Sequence, residues 1–396
     1  MRNLLSRFLP WGALQAWSKK KRLEWSVIYY GANPRVIRRC RIWGGLLFWL
    51  GKWDKLMRNK RLDFAVLLMG SCLLASQGGQ AFAAEFYQTV TPGASTDIRA
   101  AELPPEAGFY AVGGVWGNWR NSLRDNSGNS MFPDTSERLF QGQLGGLYVY
   151  DGEFLGGRMA SSLVFVYGEH DLTITKTTPA NLSSKNTGWF DAYSDIFFWS
   201  KSWYEGPPPG APGQPKPAAD FIPPMPVGFT LGLGVGVTIP MGLFDNEKVG
   251  NPGFNNWVLS PNVAMTYRTR PILLEGTEFS TRIFYNHNFD RDDSTGGFTY
   301  RDGDYLSADF AVTERYNRYQ FGLAGNVKWQ VQDDDGSPAN LALDGRRHKS
   351  IRLGPIVAVD FPSQRATVTL KYLTDVYNRN SFKGDYLQLS FIKKLW

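Results

Sequence analysis

From about residue 108 to the C-terminus the chain keeps a two-residue rhythm in stretches of roughly ten residues, with no sustained helical period. Val227, Phe229, Leu231, Leu233, Val235, Val237 and Ile239 alternate with Gly228, Thr230, Gly232, Gly234, Gly236 and Thr238. Phe321, Leu323, Val327, Trp329 and Val331 alternate with Gln320, Asn326, Lys328, Gln330 and Gln332. Ile351, Leu353, Val357, Val359 and Phe361 form a third such face. Successive side chains of a strand point to opposite faces, so each stretch has one apolar face and one small or polar face. A soluble barrel would turn the apolar set inward. A membrane barrel turns it to lipid and keeps the polar set inside.

The connections choose between these. The pattern predicts strands near 108–120, 140–151, 159–171, 189–205, 226–241, 256–268, 276–289, 303–316, 319–332, 348–361, 365–377 and 384–396. Long links at 121–139, 172–188, 242–255, 290–302, 333–347 and 378–383 alternate with short ones at 152–158, 269–275, 317–318 and 362–364. A membrane barrel with both termini in the periplasm has short turns there and long loops outside. The reading is an all-β protein, an antiparallel transmembrane β-barrel of about twelve strands over residues 108–396. Two places resist it. The proline-rich stretch 206–225 is a long link on the periplasmic side, and region 189–205, with Phe197, Phe198, Trp199 and Trp203, alternates poorly.

The excess of positive charge belongs to targeting. Residues 1–83 hold fifteen Lys and Arg against three Asp and Glu; their +12 exceeds the chain's +7, so residues 84–396 carry −5. Basic composition therefore implies no nucleic-acid partner. Met57-Arg58-Asn59-Lys60-Arg61 reads as a basic n-region and Phe64 to Ala75 as an apolar h-region. Ala81 and Ala83 place small residues before a cleavage ahead of Ala84. The organisation expected is an extended leader or over-extended start at 1–56, a signal peptide at 57–83, a periplasmic segment at 84–107 and the barrel at 108–396. A lipid-attachment reading at Ser71-Cys72 is weaker, because Met69 and Gly70 suit it poorly. Both cysteines, Cys40 and Cys72, lie in the leader, so the exported part is thiol-free, as suits an oxidising compartment. The expected location is the bacterial outer membrane.

Aromatic residues make up 15% of the chain. Tyr and Trp favour membrane interfaces, and Trp116, Trp119, Tyr148, Tyr150, Tyr267 and Tyr285 fall near strand ends. The last strand ends at Trp396, a terminal aromatic of the kind read by the barrel-assembly machinery. Leu387, Leu389 and Phe391 share one face and Trp396 the other, so a bulge or a short tail is expected.

Little in the chain points to catalysis. His170, His287 and His348 have no partner at metal-ligand spacing and no serine in a nucleophile motif, and they read as solvated rim residues. Gly232 to Val237 mimics a phosphate loop but precedes no helix. Parity turns Arg268, Glu278, Arg282, Asp309, Arg315, Lys328 and Lys371 toward the lumen, either as a selectivity lining or as a structural ion-pair network. Arg or Lys facing lipid would cost about 2–4 kcal/mol near the midplane. The acidic loops Asp290-Arg291-Asp292-Asp293 and Asp333-Asp334-Asp335 are either solvated charge or sites for divalent ions at a lipopolysaccharide surface.

Glu102-Leu103-Pro104-Pro105-Glu106-Ala107-Gly108-Phe109-Tyr110 resembles the opening of the family described as involved in the meta-pathway of phenol degradation. Phe279 to Asn286, Tyr300 to Asp304, Gly354-Pro355-Ile356-Val357, Lys371-Tyr372, Asn378-Arg379 and Gly384-Asp385 are similar to its later strands, covering about 102–396. The resemblance implies an outer-membrane transporter: a barrel without cofactor or enzymatic activity, passing small aromatic or hydrophobic solutes passively, past a polar lumen or through a lateral opening. Its partners would be outer-membrane lipid, lipopolysaccharide and the solute. A structural or interaction barrel with a filled lumen is the second reading, and a lipid-modifying barrel enzyme the third.

Overall fold

The computed structural model describes residues 97–132, 134–174, 182–206, 226–245, 250–291, 301–335 and 347–396. The expected leader, the signal peptide with Ala81, Ala83 and Ala84, and most of the proline-rich link lie outside the described residues. The strands are β1 (Gly108–Leu123), β2 (Ser136–Val149), β3 (Arg158–Ile174), β4 (Leu182–Trp189), β5 (Ala192–Tyr204), β6 (Gly228–Ile239), β7 (Val258–Arg268), β8 (Thr277–Asn288), β9 (Tyr305–Tyr316), β10 (Tyr319–Gln330), β11 (Lys349–Phe361), β12 (Ala366–Arg379) and β13 (Phe382–Lys394). Each pairs antiparallel with its neighbours, and β1 pairs with both β2 and β13, which closes the sheet. β4 and β5 both run along β3 and together form one wall strand, so the barrel has twelve.

Closure explains why this sequence needs no covering layer. Among the described residues the strands pair around the barrel, with one gap in the β3–β5 ladder between Ala160 and Val164, so side chains rather than a free strand edge face lipid over most of the wall. Outward positions are apolar: Phe321, Leu323 and Trp329 on β10, and Leu387, Leu389 and Phe391 on β13, are all exposed. Inward neighbours such as Gln320, Asn326, Lys328 and Gln388 are buried. Trp119, Tyr148, Tyr150, Tyr267 and Tyr285 project outward near strand ends. Trp116 does not. It is 5% exposed, faces the lumen and gives its indole N–H to Gln141.

Several boundaries move. The fourth wall strand starts at Leu182, not 189, so β4 occupies much of the link expected at 172–188. The link expected as long at 378–383 is a two-residue turn, Asn380-Ser381, with Asn380 at φ 50°. Asn tolerates this left-handed conformation better than most residues. The same device turns β9 into β10 at Asn317-Arg318, with Asn317 at φ 54°. Pairing of Tyr204 with Gly228 keeps the proline-rich link on the periplasmic side. β13 stops at Lys394, and Trp396 stacks on Phe109 at 4.8 Å, so the terminal aromatic is a short tail past the strand.

The poor alternation of 189–205 has a specific cause. Between the pairs Ala160–Phe198 and Val164–Tyr193, β3 advances four residues while β5 advances five. Between Asp195–Gly236 and Phe197–Val235, β6 advances one while β5 advances two. Both ladders therefore count one extra residue in β5. Ile196 and Phe197 both point outward there, at 56% and 37% exposure, while Tyr193, Asp195, Phe198 and Ser200 point in. This is a β-bulge, which reverses parity along the strand.

Candidate functional site: the barrel lumen

All seven residues assigned inward by parity are buried. Arg268 lies between two carboxylates, with Nε 3.1 Å from Glu278 and a guanidinium nitrogen on Glu102. Arg282 pairs with Asp195 at 2.6 Å, donates to Asn262 at 2.9 Å, and stacks over the rings of Phe198 and Phe284. Asp309 accepts from Asn326 at 2.6 Å. Arg315 faces Asp360 at 3.6 Å and donates to the Asn317 carbonyl at 2.9 Å. Lys371 contacts Asp97 at 2.5 Å. Lys328 stands among Arg120, Arg352, Asp309 and Asp375. On the same wall Arg120 pairs with Glu137 at 2.5 Å and Arg352 with Asp375 at 3.3 Å.

Three of the seven, Arg268, Glu278 and Lys371, hold a segment expected below the barrel. Residues 97–104, expected in a periplasmic segment, lie inside the lumen. Backbone N–H groups of Arg99, Ala100 and Ala101 donate to Glu278 (2.7 Å), Ser280 (2.8 Å) and Thr266 (3.1 Å). The Ala101 carbonyl accepts from Ser200 at 2.6 Å, and the Pro104 carbonyl from Arg158 at 2.6 Å. The Arg99 guanidinium grips Asp360 at 2.6 and 3.1 Å and reaches Gln320 at 3.0 Å. The alanines pack on Phe198 and Ala264. The signal for this was in the charge count. The seven inward candidates carry five cations against two anions, and a buried excess of that kind requires counter-charge. Asp97 and Glu102 supply part of it, and Asp195 and Asp360 on the wall supply more.

The lumen changes character along its axis. At mid-depth Trp116, Val166, Phe190, Ile356, Leu373 and Tyr386 form an apolar band, against which Ile98 packs. At the extracellular end Leu123, Leu172, Ile174 and Phe382 gather around Phe254, with Met131 and Phe132 against them. Phe254 arrives on the segment between β6 and β7. Asp191 anchors that segment by accepting from the backbone N–H of Gly242 and of Phe254, each at 2.9 Å. His170 adds a hydrogen bond to the Asn251 carbonyl at 3.0 Å. At the periplasmic rim Glu106 meets Lys394 at 2.5 Å and Arg365 at 3.3 Å; the Lys394 hydrogen bond holds its carboxyl below the usual carboxylate range.

Two histidines are not solvated. His170 is 1% exposed and sits between Glu137 (3.2 Å) and Asn251, while His348 is 5% exposed beside Ser350. Barrel closure buries inward residues at strand ends that a linear sequence leaves looking peripheral. His287 remains at the rim on Asp304 at 2.8 Å. Among the described residues of the acidic loops, Asp333 pairs with Arg347 and Asp334 accepts from Gly303 and Gln330. Among the described residues no three His, Cys, Asp or Glu side chains converge in a way that could hold a metal.

An antiparallel closed barrel with an apolar outer face and a polar, partly filled interior is an outer-membrane protein. Residues 120–391 match the family described as "Putative MetA-pathway of phenol degradation", and the chain belongs to that family. The fold is similar to the COG4313 outer membrane channel from Pseudomonas putida F1, at 15% identity and a TM-score of 0.58, covering 77% of this chain and 100% of that one. Weaker likenesses run to the β-domain of the Bordetella autotransporter BrkA (10% identity, 73% and 100% covered, TM-score 0.38) and to the transport unit of the Escherichia coli autotransporter AIDA-I (10%, 74% and 93%, 0.37). No curated protein matches the sequence.

Proposed function

We propose that the chain is an outer-membrane channel for passive entry of small aromatic or hydrophobic solutes, with residues 97–104 as a plug that moves to open the path. The observation that carries this is the apolar lining of a lumen whose wall is otherwise polar. The extracellular group around Phe254 and the mid-depth band from Trp116 to Tyr386 give an apolar solute two successive surfaces on which to leave water. The family description fits that solute class. The buried charges around them set the shape of the path and hold the plug. On this reading residues 57–83 are the export signal, cleaved before Ala84, and β13 with Trp396 engages the assembly machinery during insertion.

The test is reconstitution. Purified protein in planar bilayers should conduct ions, and a deletion strain should grow poorly on individual aromatic carbon sources. Absence of both conductance and solute flux would sink the channel reading.

A second reading has its own support. Three consecutive backbone hydrogen bonds and three ion pairs seat the 97–104 segment. That is a well-made fit for a lumen that stays filled, as in a structural or interaction barrel. Removing residues 97–102 separates the two. A channel with a plug gains conductance; a filled structural barrel with further obstruction gains none.

A further inference from the structure

A belt of cations lies between the two apolar surfaces of the lumen. Arg120 on β1, Lys328 on β10 and Arg352 on β11 each stand four residues from a member of the mid-depth band on the same strand, namely Trp116, Ala324 and Ile356, and on its extracellular side. Register sets Lys328 opposite Ser350 and Arg352 opposite Asn326. Arg120 and Arg352 share the Asn118 side-chain oxygen, at 3.3 and 3.4 Å, and Lys328 lies near both guanidinium groups. The three cations thus meet on one part of the wall.

They are not held alike. Arg120 has Glu137 at 2.5 Å and Arg352 has Asp375 at 3.3 Å. Lys328 is 6% exposed, yet among the described residues nothing lies within hydrogen-bonding or ion-pairing distance of its ammonium. Asp309, on the neighbouring strand, accepts from Asn326 at 2.6 Å instead. An ammonium withdrawn from bulk water without a counter-charge is costly, and a carboxylate brought to it makes a charge-assisted hydrogen bond. Other donors around it are unused. Arg120 Nε, the Tyr386 hydroxyl and His348 Nδ1, a donor in one tautomer, have no hydrogen-bond partner among the described residues. His348 lies near Lys328 and both arginines, and Tyr386 lies near Arg352 and Asp309.

We infer that Lys328 binds the carboxylate of a small aromatic acid, whose ring lies on the adjoining face of Trp116, Ile356, Leu373 and Tyr386. The inference rests on the channel reading and narrows its solute class. Lys328 is not needed to neutralise Glu137 or Asp375, because each already has an arginine. A wholly apolar solute leaves the ammonium without a partner. A small inorganic anion meets the ammonium and leaves the band empty. A ring that carries a carboxylate matches both surfaces, which is how a mostly apolar pocket with a few placed polar groups selects its ligand.

Three probes test it: benzoate, its neutral analogue benzamide, and acetate, which has the carboxylate without the ring. Binding to the full barrel in a non-ionic detergent is read by titration calorimetry, and folding by heat-modifiable migration on gels. Wild type should bind benzoate about tenfold or more tighter than benzamide, the worth of one hydrogen bond between charged groups. Acetate should bind more weakly than benzoate. Lys328→Met should bind benzoate no better than benzamide, and Lys328→Arg should keep most of the preference. Equal affinity of wild type for benzoate and benzamide, or a preference that survives Lys328→Met, would overturn the site. Acetate binding as tightly as benzoate would overturn the aromatic part of the inference. Should Lys328→Met not fold, the comparison of benzoate with benzamide on wild type decides alone. Conductance in planar bilayers and benzamide flux into liposomes keep the two readings apart. Their presence without a benzoate preference sinks the site and leaves the channel; their absence beside a benzoate preference that depends on Lys328 sinks the channel and leaves the site.

Discussion

The two ends of the lumen are closed by opposite chemistries. The periplasmic half holds a segment of the chain by charge: Asp97 on Lys371, Arg99 on Asp360, Glu102 on Arg268. The extracellular end is closed by contact among Leu123, Leu172, Ile174, Phe382 and Phe254. An apolar solute can replace the apolar contacts at the outer end with its own, at little net cost. It cannot replace the ion pairs at the inner end, because separating them leaves buried charge unpaired. On the channel reading, the outer end is therefore the side that such a solute would open by binding. The inner end opens only if the whole segment moves.

The sharpest break of this contrast is removal of residues 97–102. Single-channel conductance should rise several-fold, measured in planar bilayers; an unchanged trace would mean that the segment is not the inner barrier. Next is Arg268→Ala, which strands the buried Glu102 and Glu278. Loss of one partner from a buried network costs about 3–5 kcal/mol, readable as a lower unfolding midpoint in detergent. Replacing all three by Met and Gln should cost much less, and equal losses would refute the charge argument. Phe254→Ala at the outer end should cost about 3 kcal/mol as a cavity, and it should increase conductance without salt sensitivity. Asp191→Asn weakens the acceptor for two backbone N–H groups and should cost about 1–3 kcal/mol, seen as faster proteolysis between β6 and β7. Smallest is Lys394→Ala at the exposed rim. Losing its pairing with Glu106 should cost about 0–1 kcal/mol and vanish at high salt; a larger effect would mean that the rim helps seat the plug.

Much of the wall was legible in the sequence because a lipid-facing strand obeys a strict rule. Alternation placed twelve strands, and parity assigned Arg268, Glu278, Arg282, Asp309, Arg315, Lys328 and Lys371 to the buried face. The failures fall where the rule does not apply. At Ile196 an extra residue breaks parity, so 189–205 read as noise when it recorded a bulge. Trp116, His170 and His348 looked peripheral because a linear sequence does not show which strand ends curve over the lumen. The segment from Asp97 to Pro104 carries no alternation at all, and nothing local separates a chain hanging below a barrel from one threaded into it.

The sequence by itself determined that the chain forms a closed membrane barrel, because every ten-residue stretch must satisfy its own two faces against lipid and lumen. The tertiary structure alone decided what fills that barrel and where its wall is weak. Those depend on pairings between residues 97–102 and strands more than 160 positions away, and on the count of residues in two ladders at once. Both are relations between distant segments, and only closure of the sheet brings them together.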